Sequence, residues 1–186
     1  MESKLVDVID EVEEISRYII YSNEFRDFMI HPAITSSDYN VLNRIRSNLS
    51  GFFVFHQSEK DYFHSVQIEG QNGQVLSVGE IVDAAESTWE ANAAELKGNI
   101  LWSEPYQLYN IRKNQDETVI TLYRMINHLY HIKEPIGLVK FRLDQEALFR
   151  HVSTGFVNEQ HEAFLFMINQ RMSLALPIVN HLNIKS

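Results

Sequence analysis

The sequence predicts an α+β fold in which helices cover one face of a central antiparallel sheet of about five strands. Three observations predict it. Two amphipathic helical patterns precede the first extended segment, an Asn-Gly pair joins two short β-like runs, and a short helix precedes three longer extended segments. The expected result is a long N-terminal helix followed by one α+β lobe.

The composition excludes several classes of function. The 186 residues include no cysteine, which rules out disulfides, thiolate zinc sites, iron–sulfur clusters and a cysteine nucleophile. The formal net charge is -9 and the basic residues are scattered, so we expect no nucleic-acid surface. Apolar runs are far shorter than the roughly 20 residues that cross a bilayer, and no signal peptide follows Met1. We expect a soluble segment, as either a cytoplasmic protein or a piece of a longer chain would be.

The first 30 residues predict one long amphipathic helix, from Leu5 to Met29. Apolar residues recur along it at steps of three and four, with acidic residues on the other faces, and this heptad-like stripe favours a parallel dimer. Pro32 is the expected stop, because the residue before a proline resists helical geometry. Residues 36–38 can then cap a second helix that runs to about His56.

The strands follow from turn signals and β-like composition. Gln71-Asn72-Gly73 is the turn of the first hairpin, since Asn-Gly between β-like runs is the strongest short-range hairpin signal. The expected strands are 63–69, 74–78, 100–110, 118–127 and 136–143, with one more at 162–169. A polar connection fills residues 79–87, and Asp144 caps a short helix from Gln145 to about His151.

A short helix between the two tryptophans is encoded in the local sequence. Ser87 is its expected N-cap, and Glu90, three residues later, is the returning arm of a capping box. Gly98 ends the helix in the left-handed conformation. Trp89 lies on the stripe that faces the sheet, and Trp102 lies on the next strand. The two rings either pack as core or border a pocket for a small molecule.

Polar groups beside these aromatic residues favour the pocket. Alternation places Trp102, Glu104 and Tyr106 on one strand face, and a carboxylate between two aromatic rings is uncommon in a dry core. Arg124 is expected on the core-facing side of its strand, where it needs an anionic or hydrogen-bonding partner. That partner is either structural, such as Glu104, or a ligand carboxylate or hydroxyl. The candidate ligand-binding residues are Trp89, Trp102, Glu104, Tyr106 and Arg124.

No catalytic or metal-binding constellation is expected. His128 and His131 have a spacing that could hold a metal on a helix, but they lie at a strand end, where ordinary surface or capping roles are favoured. No serine elbow, glycine-rich phosphate loop or dinucleotide fingerprint occurs in the sequence. We therefore expect no enzyme activity, no metal and no cofactor for this segment.

Several short blocks occur in a particular order and spacing. They are the leading helix Leu5–Met29, Ser65–Ile68 with Gln71–Val75, Trp89 with Gly98 and Trp102, Leu122–Ile126, Ile136–Asp144 and Leu148. This succession, over about residues 5–170, resembles the extracellular sensing region of YesM-type bacterial sensor histidine kinases, a branch of the double Cache family.

The resemblance implies a receptor anchored in the cell membrane by flanking helices, with this segment extracellular. Residues 1–34 would form a stalk helix, residues 35–152 a membrane-distal PAS-like Cache lobe, and residues 153–186 the start of a truncated membrane-proximal lobe. The full receptor would be a homodimer whose cytoplasmic kinase acts with a response regulator.

Carbohydrate uptake is a frequent context of such receptors, so the resemblance implies a small-molecule ligand such as a sugar. Chemotaxis receptors share Cache ectodomains and are an alternative output. A protein-interaction or dimerisation domain without a small ligand is the rival from another class.

Overall fold

Helices and strands follow the predicted order in the computed structural model, which describes residues 2–31, 39–80, 82–83, 86–131 and 133–153. The helices of these ranges are α1 (Glu2–Tyr21), α2 (Asn23–Ile30), α3 (Tyr39–Glu59), α4 (Ser87–Glu95) and α5 (Gln145–Val152). The strands are β1 (Phe63–Gly70), β2 (Val75–Gly79), β3 (Val82–Asp83), β4 (Ile100–Trp102), β5 (Tyr106–Asn110), β6 (Gln115–Asn127) and β7 (Pro135–Asp144). The α+β class, with an N-terminal helix and a central antiparallel sheet, is confirmed.

The strands of the described residues form one antiparallel sheet. Its order is β2-β1-β7-β6-β5-β3, and β4 pairs with β6 next to β5. The β1–β7 pairing joins the first hairpin to the C-terminal meander. Residues 136–143 of β7 are all buried, because this strand lies inside the sheet with both faces covered.

The main hydrophobic core lies on one side of the sheet, which we call the inner face. Residues of α1, α2, α3 and α5 pack there against alternate residues of β1, β6 and β7, such as Val66, Leu122 and Phe141. The opposite side, the outer face, carries α4. The sheet is therefore a partition between a large apolar core and a smaller, more polar region.

The apolar stripe of α1 faces the sheet. Leu5, Val8, Val12, Ile15 and Ile19 are each at most 4% exposed and belong to the main core. The stripe therefore serves packing within one chain. The parallel dimer remains a prediction, but the apolar stripe that suggested it is buried in the core of the same chain.

The predicted single helix Leu5–Met29 is two helices. Ser22 has extended backbone, with φ -73° and ψ 120°, and separates α1 from α2. Arg26 stabilises the break, because its buried guanidinium donates to the carbonyl oxygens of Ile20 (3.3 Å) and Asn127 (3.1 Å). The first of these bonds supplies a donor to the last turn of α1, whose carbonyls have no partner inside the helix.

The predicted strand 100–110 is divided, and the division turns its two halves onto opposite faces. Trp102 pairs with Leu122, whereas Tyr106 pairs with Val119. Four residue steps on this edge match three on β6, which is the count of a β-bulge. Because side chains alternate, the extra residue puts Trp102 on the inner face and Tyr106 on the outer face.

Ser103 restores part of the interrupted ladder. Its backbone N–H donates to the carbonyl oxygen of Thr121 (2.8 Å), and its Oγ accepts from the N–H of Thr121 (2.9 Å). A side-chain oxygen thus takes the place of a backbone acceptor beside the irregular connection.

Other departures are local. The polar connection 79–87 contains the short strand β3, which pairs with β5. The predicted strand 162–169 and nearly all of the predicted proximal lobe, 153–186, lie outside the described residues. Within the described ranges, no helix combines the length and apolarity needed to span a membrane.

Gly137 of β7 lies where a side chain would clash with both β1 and α2. A Cβ there would lie 2.5 Å from the carbonyl oxygen of Glu69 and 2.5 Å from Sδ of Met29. We expect Gly137→Ala to lower the free energy of unfolding by about 2 kcal/mol, as overpacking does, in urea denaturation.

Gly51→Ala is the matched control. Gly51 lies on the exposed side of α3 with no atom within 4 Å of a Cβ, so we expect helix propensity to stabilise the variant by up to about 1 kcal/mol. Equal effects of the two substitutions would contradict the close approach at β7.

Candidate ligand-binding site

The outer face of the sheet carries a buried polar cluster. Lys140 and Arg142 of β7 point to this face and are each 2% exposed. Tyr123 and Thr121 of β6 lie opposite them in the register. We define the outer-face cluster as Ser65, Gln67, Glu69, Glu86, Glu90, Tyr106, Thr121, Tyr123, Lys140 and Arg142.

Glu86, the residue before α4, is the centre of this cluster and is 4% exposed. Its carboxylate accepts hydrogen bonds from Nε (2.8 Å) and Nη2 (2.6 Å) of Arg142, which is bidentate geometry. The hydroxyl of Tyr106 donates to Oε1 at 2.5 Å, and Nζ of Lys140 lies 3.3 Å from Oε2. Three side chains of the sheet thus converge on one carboxylate.

Lys140 connects the sheet to α4. Its ammonium donates to Oε1 of Glu69 at 2.7 Å and to Oε1 of Glu90 at 2.5 Å. Together with Glu86, three carboxylates surround this cation. Two cations and three carboxylates therefore share one small region of the outer face.

Hydroxyl and amide groups complete the cluster. Oη of Tyr106 lies 2.8 Å from Oγ1 of Thr121 and 3.0 Å from Oη of Tyr123. Nη2 of Arg142 also donates to Oε1 of Gln67 at 2.9 Å. Across the described residues, every buried side-chain nitrogen or oxygen has a hydrogen-bond partner.

The charges of Glu86 and Lys140 are fixed through the neutral pH range. Burial acts to raise the pKa of Glu86, but the hydrogen bonds and positive charge of Arg142 outweigh it and lower the pKa to about 2. Burial acts in the opposite direction on Lys140, and its hydrogen bonds to Glu69 and Glu90 nevertheless raise the pKa of this ammonium. Burial and the charge of Glu86 raise the pKa of Tyr106, so its hydroxyl stays a donor.

Trp89 of α4 covers one side of this region. Its ring stacks on Tyr123 with centroids 6.5 Å apart and an interplanar angle of 14°. Ala93, Leu101 and Leu138 complete a second, smaller hydrophobic cluster between α4 and the sheet. The helix is held by this cluster and by the ion pairs of its first turn.

The sheet separates the predicted site residues. Trp89 and Tyr106 lie at the outer-face cluster, whereas Trp102 and Arg124 lie on the inner face, and Glu104 is exposed in the β4–β5 connection. The predicted arrangement of all five around one cavity is therefore not formed. The β-bulge explains why Trp102 and Tyr106 are separated, because alternation was extended across a connection that contains one extra residue.

Trp102 and Arg124 have structural partners on α1. Nε1 of Trp102 donates to Oε1 of Glu13 at 3.3 Å. Arg124 donates from Nε to the carbonyl oxygen of Gly98 and from Nη1 to Oγ of Ser16, both at 3.1 Å. Of the two alternatives for Arg124, the structure thus shows a structural partner, and it is not the predicted carboxylate.

The predicted capping box of α4 is wrong. Glu86 occupies the N-cap position, and Ser87 is already the first helical residue. Glu90 does not return to the helix start, because its carboxylate pairs with the ammonium of Lys140, a stronger charge-assisted contact. The left-handed conformation of Gly98 is confirmed, with φ 95°.

Lys140, Arg142 and Glu86 were not among the predicted site residues. The alternation of the two cations with Val139 and Phe141 signals one polar strand face, which is usually a solvated face. Burial of that face depends on α4 and on Glu86, which lies more than 50 residues earlier in the chain. The strand pattern alone therefore shows that Lys140 and Arg142 share one face of β7, but it does not show that this face is buried.

A second buried carboxylate, that of Glu117, lies farther along the outer face and contacts His64. Nε2 of His64 is 2.8 Å from Oε2 of Glu117, whose other oxygen accepts from Nζ of Lys113 at 2.9 Å. Burial acts to raise the pKa of Glu117, but hydrogen bonds from Asn110, Lys113 and His64 lower it to about 2. Nδ1 of His64 lies 3.1 Å from Oγ of Ser65, so this pair adjoins the outer-face cluster.

The β6–β7 connection holds the remaining features considered from sequence. The rings of His128 and His131 are 5.2 Å apart, and no group of three potential metal ligands occurs in the described ranges.

An open depression of about 560 Å³ is lined by Tyr130, His131, Lys133, Glu134 and Pro135. A smaller one of about 70 Å³, bordered by Ala94 and Met125, lies beside the end of α4. Neither depression is lined by a residue of the outer-face cluster.

No protein-family model and no curated protein sequence matches this chain. Its fold is similar to that of the ligand-binding domain of the amino-acid chemoreceptor PctC of Pseudomonas aeruginosa PAO1, solved in complex with GABA, with 9% identity and a TM-score of 0.50. The match covers 83% of this chain and 61% of that one, so the chain spans less than two thirds of its length.

Weaker similarities involve two further chemoreceptor structures. The ligand-binding domain of PctB from the same organism, in complex with L-Arg, has 16% identity and a TM-score of 0.39 over 82% of this chain and 64% of that one. Methyl-accepting chemotaxis protein X has 10% identity and a TM-score of 0.39 over 59% of this chain and 49% of that one. At these identities the similarity to PctC shows the fold alone.

The ion pair of Glu86 predicts a specific acid sensitivity. Its pKa of about 2 in the folded chain lies below the ordinary value of 4.5, so the stabilisation is complete above about pH 5 and is lost as the pH falls toward 2. The loss is roughly 2 kcal/mol by pH 3. We expect the free energy of unfolding of Glu86→Gln, from urea titrations at pH 7 to pH 3, to fall less steeply than that of the wild type.

Glu104→Gln is the control, because it makes the same chemical change at an exposed carboxylate. Its pH profile should follow the wild type. If Glu86→Gln also kept the full wild-type slope, the ion pair would not be the source of the acid sensitivity.

Proposed function

We propose that this chain is the extracellular ligand-sensing domain of a membrane-anchored bacterial receptor, and that a small polar molecule binds at the outer-face cluster beside α4. The observation that carries the proposal is the convergence of Arg142, Lys140 and Tyr106 on a buried position next to α4. The domain is proposed to bind and signal rather than to catalyse.

The burial of these charged groups costs more solvation free energy than the attachment of a short helix requires. Charges removed from water lose solvation that ion pairing only partly restores, and apolar residues of similar size often stabilise a fold as well or better. A helix of nine residues that already places Trp89 and Ala93 on the sheet does not require such a network for packing. Perturbed charged groups held together under a small element are typical of functional sites.

The charged groups favour a ligand with an anionic and a cationic end. Arg142 and Tyr106 present donors for a carboxylate, and Glu69 and Glu90 present acceptors for an ammonium group. PctC, whose fold is similar, was solved with GABA, which has both groups. A sugar is the second ligand class to test, although Trp102 is unavailable for stacking because it is buried on the inner face.

We propose that the signal leaves the lobe through β6 and α1. Tyr123 and Arg124 are neighbours on β6, and they face the outer-face cluster and α1 respectively. A ligand that binds one position of β6 better than another would shift α1 through the contact of Arg124 with Ser16. A sensor histidine kinase that acts as a homodimer with a response regulator is the proposed output, and a chemotaxis receptor is the alternative.

The binding proposal is tested by a thermal-shift screen of amino acids, small carboxylic acids and sugars. A saturable rise of Tm with one compound is expected, since a ligand that binds only the folded state stabilises it. A screen without any such compound would favour the rival, a protein-interaction domain.

Autophosphorylation of the full-length receptor in vesicles, with and without the compound, tests the kinase output.

Arg142→Lys is expected to weaken binding of that compound about tenfold, because lysine keeps the charge but cannot form the bidentate contact. Isothermal titration measures the change. Arg150→Lys is the control, since it makes the same substitution at an exposed arginine of α5, outside the cluster and the proposed signal route, and should leave Kd unchanged. Equal losses in the two variants would contradict a site on the outer face.

A further inference from the structure

We infer that Glu86 is a tethered substitute for a ligand carboxylate: it occupies an anion site formed by Arg142, Lys140 and Tyr106, and a ligand carboxylate binds there by displacing it. The inference deepens the proposed function and rests on it for the origin of the ligand. It identifies the ligand class as small carboxylates.

The contacts of Glu86 are those of a bound carboxylate. Nε and Nη2 of Arg142 donate to one oxygen each, at 2.8 and 2.6 Å. The hydroxyl of Tyr106 adds a third donor at 2.5 Å, and the ammonium of Lys140 lies 3.3 Å from Oε2. Both oxygens are therefore fully engaged, and all the donors come from strands of the sheet.

The anion site would persist without Glu86. Arg142 would keep Gln67 as acceptor at 2.9 Å and Ser65 at 3.5 Å. Lys140 would keep Glu69 at 2.7 Å. Each cation therefore has another partner on the sheet that holds it in position, whereas Glu86 belongs to the segment that leads into α4. Only the carboxylate, and not its donors, has to move.

The charge balance specifies what can replace Glu86. Exchange of its carboxylate for that of a ligand leaves the cluster with the same two cations and three carboxylates. A neutral ligand would leave Arg142, 2% exposed, without its anionic partner, which is strongly unfavourable for a buried charge. Carboxylates are therefore favoured over neutral sugars at this position.

The substitution Glu86→Ala tests the inference directly, because the fragment it removes corresponds to acetate. We expect acetate to raise the Tm of this variant saturably by about 3 °C at concentrations several times its Kd. The same concentration of acetamide, which has the same shape but no charge, should have no such effect. In the wild type the tethered carboxylate has a high effective concentration, so acetate should not stabilise it.

Glu104→Ala is the control variant, since it removes an exposed carboxylate and should not respond to acetate. A Glu86→Ala protein that folds but shows no saturable response to acetate would overturn the inference.

If Glu86→Ala does not fold, Glu86→Gln decides. Its amide fills the same volume but competes for Arg142 without a charge, so acetate should bind this variant at least tenfold more tightly than the wild type. The fluorescence of Trp89, which stacks on Tyr123 beside the site, provides the titration signal once Trp102 is accounted for by the same titration of the wild type. Equal acetate affinities would overturn the inference.

The two proposals fail in different ways. Acetate binding by Glu86→Ala with no ligand found for the wild type would support the anion site and count against the sensing role. A wild-type ligand together with a Glu86→Ala protein that ignores acetate would support sensing and remove the displacement of Glu86. If the methyl ester of a wild-type ligand bound as tightly as the free carboxylate, sensing would again be supported and the displacement of Glu86 would be ruled out.

Discussion

The ion pair between Glu86 and Arg142 determines what the outer face of the sheet can be. A guanidinium at 2% exposure needs an anionic partner, and the partner comes from the residue that starts α4. The same carboxylate accepts from the hydroxyl of Tyr106 and lies 3.3 Å from Nζ of Lys140, so this contact is the centre of the polar cluster. The region is therefore organised by electrostatics, whereas the inner face is organised by apolar packing.

The two faces of the sheet share one strand, β6. On β6, successive side chains alternate between the polar cluster and the main core, so Tyr123 and Arg124 belong to different environments although one peptide bond joins them. Arg124 and Trp102 in turn hold α1 by polar contacts at the edge of the apolar core. The proposed signal route uses this arrangement, because one strand contacts the polar cluster on one side and α1 on the other.

The fold was predictable where its signals are local. The Asn-Gly turn and the Asp144 cap, whose Oδ1 accepts from the N–H of Ala147 at 2.7 Å, need only neighbouring residues. The break at Ser22 was not predictable, because its stabilising group, Arg26, also needs a carbonyl on β6. Half of the candidate site was likewise missed: alternation was extended through the β4–β5 connection, and the face of β7 that carries Lys140 and Arg142 is buried only by α4 and Glu86, which lie far away in the sequence.

The β4–β5 connection contains one residue more than a regular ladder needs. From Trp102 to Tyr106 the chain takes four residue steps opposite three on β6. Loss of one residue would leave three steps opposite three, and because residues that pair across a ladder share a face, Trp102 would stay on the inner face opposite Leu122 and Tyr106 on the outer face opposite Val119. The face of each ring is thus set by its own pairing with β6, so homologues that keep this cluster can lose the extra residue, as connections between strands often do, without exchanging the positions of the indole and the phenol.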